Sequence, residues 1–487
     1  MKISSSIFSL ISIFILLLIS SATSSDFDDF IRCLPRQSNS SLPITDAILT
    51  PNNSTFQSIY QLRANNLRTF LSATSRPVAI ITALHPSHAQ AAVICAKRHD
   101  FQLRIRSGGH DFEGLSYTSD VPFVILDMFN LNSIDIDMST ETTWVQAGAT
   151  TGELYYRIAE KSNVHGFPSG VCTTLGIGGH FSGGGYGFLI RKYGISIDNV
   201  IDAQLIDANG RILNRGGTTS FGIILSWRIK LVRVPPRVTV FTVQRTLEQG
   251  ATELAYRWQQ VAPKLPKDLF IRLQPEPINN GGNNKTVRVS FIGHFLGQAD
   301  GLLRLMNMSW VESTLYWANF PNGTSIDVLL DRVQENRVFS KSKSDYYKAL
   351  IPKQGLETLW QGLMDIEDIF VQMNPYGGRM EEISDSETAF VHQAGNLFMV
   401  LYGIQWSESD GGINATERYV EMSRRLYDAM APYASSNPRE AFFNYRDLDI
   451  RSNESDETDF EDAQEYGAKY FRNNFIRLAV ARKRVKE

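Results

Sequence analysis

Between Gly170 and Gly187 the chain carries eight glycines in eighteen residues, Gly-Val-Cys-Thr-Thr-Leu-Gly-Ile-Gly-Gly-His-Phe-Ser-Gly-Gly-Gly-Tyr-Gly. Such a stretch is poor material for a core element, because each glycine adds unfolded-state entropy and brings no side chain to pack. Its density requires that something approach the backbone closely. A second stretch, Arg106-Ser107-Gly108-Gly109-His110-Asp111-Phe112-Glu113-Gly114, follows a strand pattern at Leu103 to Arg106. Successive residues without a Cβ let backbone N–H groups converge on an anion, so this is a candidate diphosphate nest, although two adjacent glycines alone more often mark an ordinary tight turn. A flat ring system with a long phosphate-bearing tail explains both stretches, and a dinucleotide such as FAD is the economical candidate. The nicotinamide fingerprint, Gly-x-Gly-x-x-Gly between a first strand and helix with an acidic residue downstream, is not what stands here.

With 487 residues, 43% of them hydrophobic, the chain can bury more than one core. A formal charge of -3 without a dominant basic cluster excludes the electrostatic footprint of a nucleic-acid binder. Lys2 precedes an apolar run from Ile7 to Ile19, too short to span a bilayer comfortably, and a small-residue stretch from Ser20 to Ser25. Residues 1–25 therefore read as a secretory signal peptide, and no other stretch approaches membrane-spanning length. Export fits the sequons at Asn39, Asn52, Asn53, Asn284, Asn307, Asn322, Asn414 and Asn453, of which Asn52 and Asn53 overlap. Three cysteines in an oxidising compartment leave one thiol needing an explanation. Cys33, in a polar lead-in, and Cys95, on an amphipathic helix, read as the natural pair; Cys172 is then either a buried free thiol or something its glycine-rich neighbours require.

A β-α-β unit is expected from Val78 to Arg106, with its helix at His88 to His99, followed by strands at Val121 to Asp127 and Trp144 to Ala147 and a helix at Gly152 to Lys161. Asp207-Ala208-Asn209-Gly210 turns a hairpin. Pro235-Pro236 can continue neither ladder nor helix and marks a domain boundary. Beyond it, strands at Thr239 to Leu247, Leu269 to Leu273, Thr286 to Phe295 and Asn396 to Trp406 alternate with helices at Gly250 to Leu265, Leu356 to Glu367 and Thr416 to Tyr433. That pattern predicts an antiparallel sheet covered by helices. A last helix at Glu461 to Arg482 is expected to return to the first domain. No His, Cys and carboxylate cluster has metal-ligand spacing, and no Ser, His and Asp arrangement suggests hydrolysis. His165 reads as structural.

The two glycine-rich motifs, together with Asn374-Pro375-Tyr376-Gly377-Gly378-Arg379-Met380 and Asn444-Tyr445-Arg446-Asp447-Leu448-Asp449, stand in one order along the chain. In these four motifs the sequence resembles the berberine bridge enzyme-like (reticuline oxidase-like) group within the vanillyl-alcohol oxidase superfamily, from Phe30 to about Val485. The resemblance implies an α+β fold: a two-part FAD-binding domain of the PCMH type over residues 26–236, a substrate domain over 237–435 and a C-terminal segment, 436–487, returning to the first. It implies FAD held twice, by His110 at the 8α-methyl carbon and Cys172 at ring carbon C6, and a Cys33–Cys95 disulfide. The cofactor-binding set is then Arg106, Ser107, Gly108, Gly109, His110, Asp111, Cys172, Leu175, Gly178, Gly179, His180, Gly184 and Tyr186. Tyr186 is expected on the substrate side, and Tyr445 as the base, with a lowered pKa, that takes the substrate's hydroxyl proton while hydride leaves for flavin N5. Tyr445 is expected on a strand, with Arg446 facing the other way.

Some positions depart from the family pattern. Keeping Tyr402 and Trp406 in register sets apolar Met399 and Leu401 toward the flavin; a slide of four residues would set Gly403 and Gln405 there. Phe112 lacks the hydroxyl that a tyrosine would supply. Leu175 resembles the variant in which oxygen is kept from the flavin, a dehydrogenase trait. About a dozen residues usual between Arg215 and Gly216 are missing, and the chain stops at Glu487, before a family tail. The expectation is a secreted or vacuolar FAD-linked oxidoreductase, expected as a monomer, that takes hydride from a phenolic or alkaloid-like alcohol and passes electrons to oxygen or another acceptor. Oxidation of a carbohydrate is the runner-up. A non-catalytic extracellular glycoprotein is the reading from a different class.

Overall fold

Two runs, Ala-Ile-Ile-Thr and Phe-Val-Ile-Leu-Asp, are almost continuously apolar, as strands buried on both faces require. In the computed structural model, which describes residues 26–487 apart from 215–221, 282–283, 308–315, 318–328, 335, 367, 389, 451–459 and 487, they lie in a four-stranded sheet. Its strands are β1 (Ile48–Leu49), β2 (Ala79–Thr82), β3 (Gln102–Arg106) and β4 (Phe123–Asp127), in the order β1-β2-β4-β3. β2 and β3 both run parallel to β4, so the expected β-α-β unit is present with β4 inserted between its two strands. The crossover helix, Pro86–Arg98, starts on a proline in its first turn and on a His85 side chain that accepts the Ser87 N–H.

A second, antiparallel sheet follows the order β5-β6-β10-β8-β9, built from β5 (Ile134–Asp137), β6 (Thr142–Gln146), β8 (Val200–Ile206), β9 (Ile212–Asn214) and β10 (Ile223–Lys230). The hairpin between β8 and β9 closes where expected, with Gly210 at φ +79°. β10 fills the centre of the sheet and was not legible in the sequence. Arg215, Gly216 and the junction to Phe221 lie outside the described residues. β7 (His165–Gly166) pairs with β11 (Val232–Arg233), and the His165 Nδ1 lies 2.7 Å from the Ser162 hydroxyl. One apolar core draws on residues from Phe30 to Leu231 across both sheets.

The N-terminal lead-in is helical over 26–37 and buries Phe30, Cys33 and Leu34. Cys33 is bonded to Cys95, with 5.8 Å between their Cα atoms, which pins that helix to Pro86–Arg98. By loop-closure entropy a bridge across this sequence separation of 62 stabilises the fold by about 4 kcal/mol.

After Pro235-Pro236 the chain builds a seven-stranded sheet, antiparallel at every pairing, in the order β15-β12-β14-β13-β17-β18-β16. Its strands are β12 (Thr239–Thr246), β13 (Leu269–Asn279), β14 (Lys285–Phe295), β15 (Tyr316–Trp317), β16 (Phe339–Tyr347), β17 (Ile369–Pro375) and β18 (Phe398–Trp406). One face packs Leu273, Phe291, Val371, Val400 and Tyr402 under the helices Ala251–Val261, Lys353–Met364 and Thr416–Met430. The other face meets the first half of the chain: Phe270, Tyr346 and Met399 share a core with Tyr186, Ile190 and Ile195. Three strands, β15, β16 and β17, escape the sequence reading, and the expected last helix is two, Phe460–Phe471 and Asn474–Lys486, parted at Arg472 with φ +43°. Among the described residues no helix is long and apolar enough to cross a membrane. Asn39, Asn53, Asn284 and Asn414 are exposed, whereas the side chains of Asn307, Asn322 and Asn453 lie outside the described residues.

Candidate active site

The two glycine motifs meet at Gly108 and Gly176. A Cβ on Gly108 would stand 2.4 Å from the Gly176 nitrogen, and one on Gly176 would stand 2.1 Å from the Gly108 nitrogen. Each glycine's missing side chain is the room the other's backbone needs. Gly109, at φ +70°, lies against the Arg63 carbonyl, 2.0 Å from where a Cβ would be. Asn65 donates to the Gly108 carbonyl at 3.2 Å, which fixes the turn from behind.

The loop bearing Cys172 is held by the N-terminus of Thr151–Lys161, a helix opened by a Thr150–Glu153 capping box. The Thr151 hydroxyl donates to the Cys172 carbonyl at 2.6 Å, the Thr151 N–H to the Leu175 carbonyl at 2.9 Å and the Gly152 N–H to the Thr173 carbonyl at 2.9 Å. Tyr155 donates from the same helix to the Gly170 carbonyl at 2.7 Å. Cys172 is thereby presented as a free and exposed thiol, against the alternative of a buried one. One hydroxyl joins the two candidate anchors: Thr174 Oγ1 stands 2.9 Å from His110 Nε2 and 3.4 Å from Cys172 Sγ. Burial pushes the His110 imidazole down to about 4. It is neutral at ordinary pH, with the free lone pair that bonding to carbon requires.

The remaining members of the expected cofactor set divide. The Ser107 hydroxyl donates to the Ala147 carbonyl at 2.6 Å, and the Gly178 N–H reaches the same oxygen at 3.1 Å. Asp111 Oδ1 accepts from the backbone of Glu113 and Leu115, and burial pushes its carboxyl up against the pull of Arg446. Gly179 is open, with nothing within 4 Å of a built Cβ, and Gly184 takes φ +117° beside Phe390. His180 Nε2 accepts the Gly170 N–H at 2.9 Å, and burial, with His110 adding to it, lowers its pKa to about 4. The Leu175 side chain packs over Gly170 beside it. Arg106 does not reach the cradle. Its guanidinium is fully buried, donates to Asp127 at 2.6 and 3.0 Å and to the Tyr60 and Ile59 carbonyls, and is spent on holding the sheet.

Tyr445 lies on a 3-10 turn, Phe443–Tyr445, rather than on a strand. The local cause is its neighbours: the Phe442 N–H donates to Ser344 Oγ at 2.9 Å, and the Asn444 side chain accepts the Gly185 N–H at 3.0 Å while donating to the Gly179 carbonyl at 3.2 Å. The turn brings the Tyr445 hydroxyl to 2.8 Å from that of Tyr186. Phe112, Tyr186 and Phe442 present ring edges to it at 5.4, 6.0 and 5.0 Å between centroids. The expected lowered pKa is not what this setting provides. Burial drives the Tyr445 phenol well above its ordinary value, Tyr186 adds to that, and Arg272 opposes it.

Met399 and Leu401 share the face of the seven-stranded sheet turned toward this turn, the face that the alternatives Gly403 and Gln405 also share. Their cross-strand partners change the character of that face. Leu401 stands opposite Gln372, which donates to Gln274 at 3.4 Å, and Ser290 lies next in the row; Met399 stands opposite Asn374, which accepts from Arg272 at 2.7 Å. In these two rows the polar Arg272, Asn374, Gln274, Gln372 and Ser290 stand with the apolar Met399, Leu401 and Ile292. Arg272, Gln274, Gln372 and Asn374 were missed in the sequence because each comes from an unremarkable position of a different register, although Asn374 opens one of the quoted motifs. Thr174, inside another, carried no signal of its own.

Residues 77–216 match the FAD binding domain family, and residues 441–485 the family described as berberine and berberine like. Berberine bridge enzyme-like 7 of Arabidopsis thaliana is 51% identical over 94% of this chain and 91% of its own length. Among solved structures, berberine bridge enzyme-like 28 from Arabidopsis thaliana superposes with a TM-score of 0.85 at 37% identity, covering 94% of this chain and 96% of that one. The grass pollen allergen Phl p 4, described as having glucose dehydrogenase activity, superposes with a TM-score of 0.85 at 34% identity, over 94% and 96% of the two chains. Sequence, fold and cradle agree, and the chain belongs to the berberine bridge enzyme-like family of FAD-dependent oxidoreductases.

Proposed function

We propose that this protein oxidises an alcohol carbon of a polyhydroxylated, carbohydrate-type substrate, using FAD attached to both His110 and Cys172. The observation that carries the reading is the Tyr186–Tyr445 hydroxyl pair standing beside the polar rows Arg272–Asn374 and Gln274–Gln372. The cradle suits the cofactor: His110 and Cys172 converge on one hydroxyl, and the atoms they would bond, the methyl carbon on C8 and ring carbon C6, belong to one edge of the same ring. FAD, when bound, supplies the two-electron acceptor for the hydride. Tyr445 accepts the hydroxyl proton as the C–H bond breaks and the carbonyl forms, and Tyr186 holds its oxygen in place. Arg272 and the amides orient the remaining hydroxyls. A phenolic donor, favoured by Met399 and Leu401, would make no use of the hydrogen-bonding groups that Arg272, Asn374, Gln274 and Gln372 keep beyond their bonds to one another. A secretory destination is supported by the Cys33–Cys95 bridge and the exposed sequon asparagines.

Anaerobic mixing with glucose, cellobiose and cinnamyl alcohol, read as loss of visible flavin absorbance, tests the substrate class. Bleaching by the aromatic alcohol and by neither sugar would reverse the assignment. After acid precipitation the flavin is expected to stay with the protein in the wild type, in His110→Ala and in Cys172→Ala, and to leave it only in the double variant; colour in the wild-type supernatant removes the double tether. Leu175, packed over Gly170, is read as the residue that limits oxygen access. Leu175→Val is expected to raise the rate of reoxidation in air severalfold with flavin reduction unchanged, and an unaltered rate makes Leu175 a packing residue only.

A further inference from the structure

β16 reads Phe-Ser-Lys-Ser-Lys-Ser-Asp-Tyr-Tyr, and every residue of it is buried. The side chains of Lys341 and Lys343 are each 2% exposed. An ammonium taken out of water costs several kcal/mol unless it is paired and hydrogen-bonded, so two of them in one buried edge strand call for a reason. Lys341 Nζ lies 2.6 Å from Glu113 Oε1 and 2.6 Å from Asp447 Oδ1. Glu113 follows His110 by three residues and also holds Arg68, at 2.6 Å. Asp447 follows Tyr445 by two, and its second oxygen takes Lys343 at 2.7 Å. Lys343 continues to Asp449 at 2.6 Å, where Arg424 closes the chain at 2.7 Å. Burial opposes the charge on Lys341, and Glu113 and Asp447 outweigh it, holding its pKa above the usual value.

The turn that carries His110 and Phe112 and the turn that carries Tyr445 come from opposite ends of the chain. Lys341 is bonded to a carboxylate of each. Both turns are stiff next to the link: Asp111 Oδ1 caps the Glu113 and Leu115 N–H groups, and the Asp447 N–H donates to the Tyr470 hydroxyl at 3.1 Å. The edge of Phe112 rests on the Tyr445 ring. We infer that Lys341 is a positioning residue for proton transfer: its ammonium sets the distance between the cofactor-bearing turn and the Tyr445 turn, and so the alignment of the phenol with the substrate hydroxyl. The inference rests on Tyr445 being the proton acceptor.

Lys341→Met keeps the length of the side chain and leaves each carboxylate one cation, Arg68 for Glu113 and Lys343 for Asp447, so the fold retains paired charges. The experiment uses the flavin-loaded protein and the best donor of the three named above. Expected in Lys341→Met is a fall of about 10²-fold in the limiting rate of anaerobic flavin reduction, since displacing a reacting group by an ångström costs that much. Flavin content, substrate affinity and the rate of chemical reduction by dithionite are expected to stay as in the wild type, and Lys341→Arg to recover most of the lost rate. Glu113→Gln, which breaks the link from the other side while preserving shape, is expected to reproduce the effect if Lys341→Met does not fold. A wild-type reduction rate in both variants, or a loss that merely follows flavin content, overturns the inference. If Tyr445→Phe is slow and Lys341→Met is not, the positioning role alone falls; if Tyr445→Phe is as fast as the wild type, the reading beneath it falls as well.

Discussion

Replacing Tyr445 by Phe is expected to slow anaerobic flavin reduction by about 10²–10⁴-fold, the range a positioned general base contributes. The ring contacts with Phe112, Tyr186 and Phe442 survive that change, so the loss isolates the hydroxyl. Its pH dependence has a definite sign. Burial raises the phenol well above its ordinary value, so near neutrality the phenolate is the minor form, and the wild-type rate is expected to climb as pH rises. In the Phe variant that climb disappears along with the rate. Stopped-flow reduction at several pH values decides the matter: a Phe variant that keeps both the rate and its slope removes Tyr445 from the chemistry. Arg272 is the nearby group that pulls the phenol down, and its loss is expected to move the climb to higher pH.

The second large effect is on stability. Asp127 is fully buried between Arg106 and Arg63; burial pushes its carboxyl up, but the two guanidinium groups outweigh it and hold it below the usual carboxylate range. Asp127→Ala leaves both cations in the interior without their counter-charge, and a loss of about 3–5 kcal/mol is expected from chemical denaturation. Because the folded carboxyl is depressed, its contribution is complete above the ordinary carboxylate pKa and is lost as the pH falls through the folded value, so the variant's deficit shrinks in acid. The damage is expected to extend to the cofactor. The Arg63 carbonyl backs Gly109, and Asn65 holds the Gly108 carbonyl, so flavin content falls with stability. A variant as stable as the wild type would mean that the buried pair is replaceable.

What the sequence discloses follows how local each cause is. Gly210 and the Asp207 turn are local, and the hairpin lies where it was read. The glycine motifs are legible because a missing Cβ is a steric statement in itself, made before any partner is known. β16 is illegible for the opposite reason. Its alternating Ser and Lys describe a solvated edge, and only Glu113, Asp447 and Asp449, more than a hundred positions away, turn the same residues into interior ones. Tyr445 was singled out by its motif and wrongly set on a strand, because the turn that holds it is made by Ser344 and by Asn444, which bonds to Gly179 and Gly185. Met399 and Leu401 alone do not give the character of their sheet face, for a related reason: it depends on register with the neighbouring strands, which set Asn374 and Gln372 opposite them. Arg106 belongs to a cofactor motif by position and to the β-sheet by contact.

The contact between Gly108 and Gly176 has a bearing on how this protein can vary. In most tightly packed pairs, a larger residue at one position is tolerated once the other becomes smaller, and such pairs leave a trace of correlated change. Here neither partner has anything left to remove, and each would collide with main chain, which cannot be trimmed. A saturation library would therefore find both positions depleted independently, with no second-site rescue between them. The two motifs are joined without being free to drift together, so their junction is a fixed point around which the rest of the cradle is at liberty to diversify.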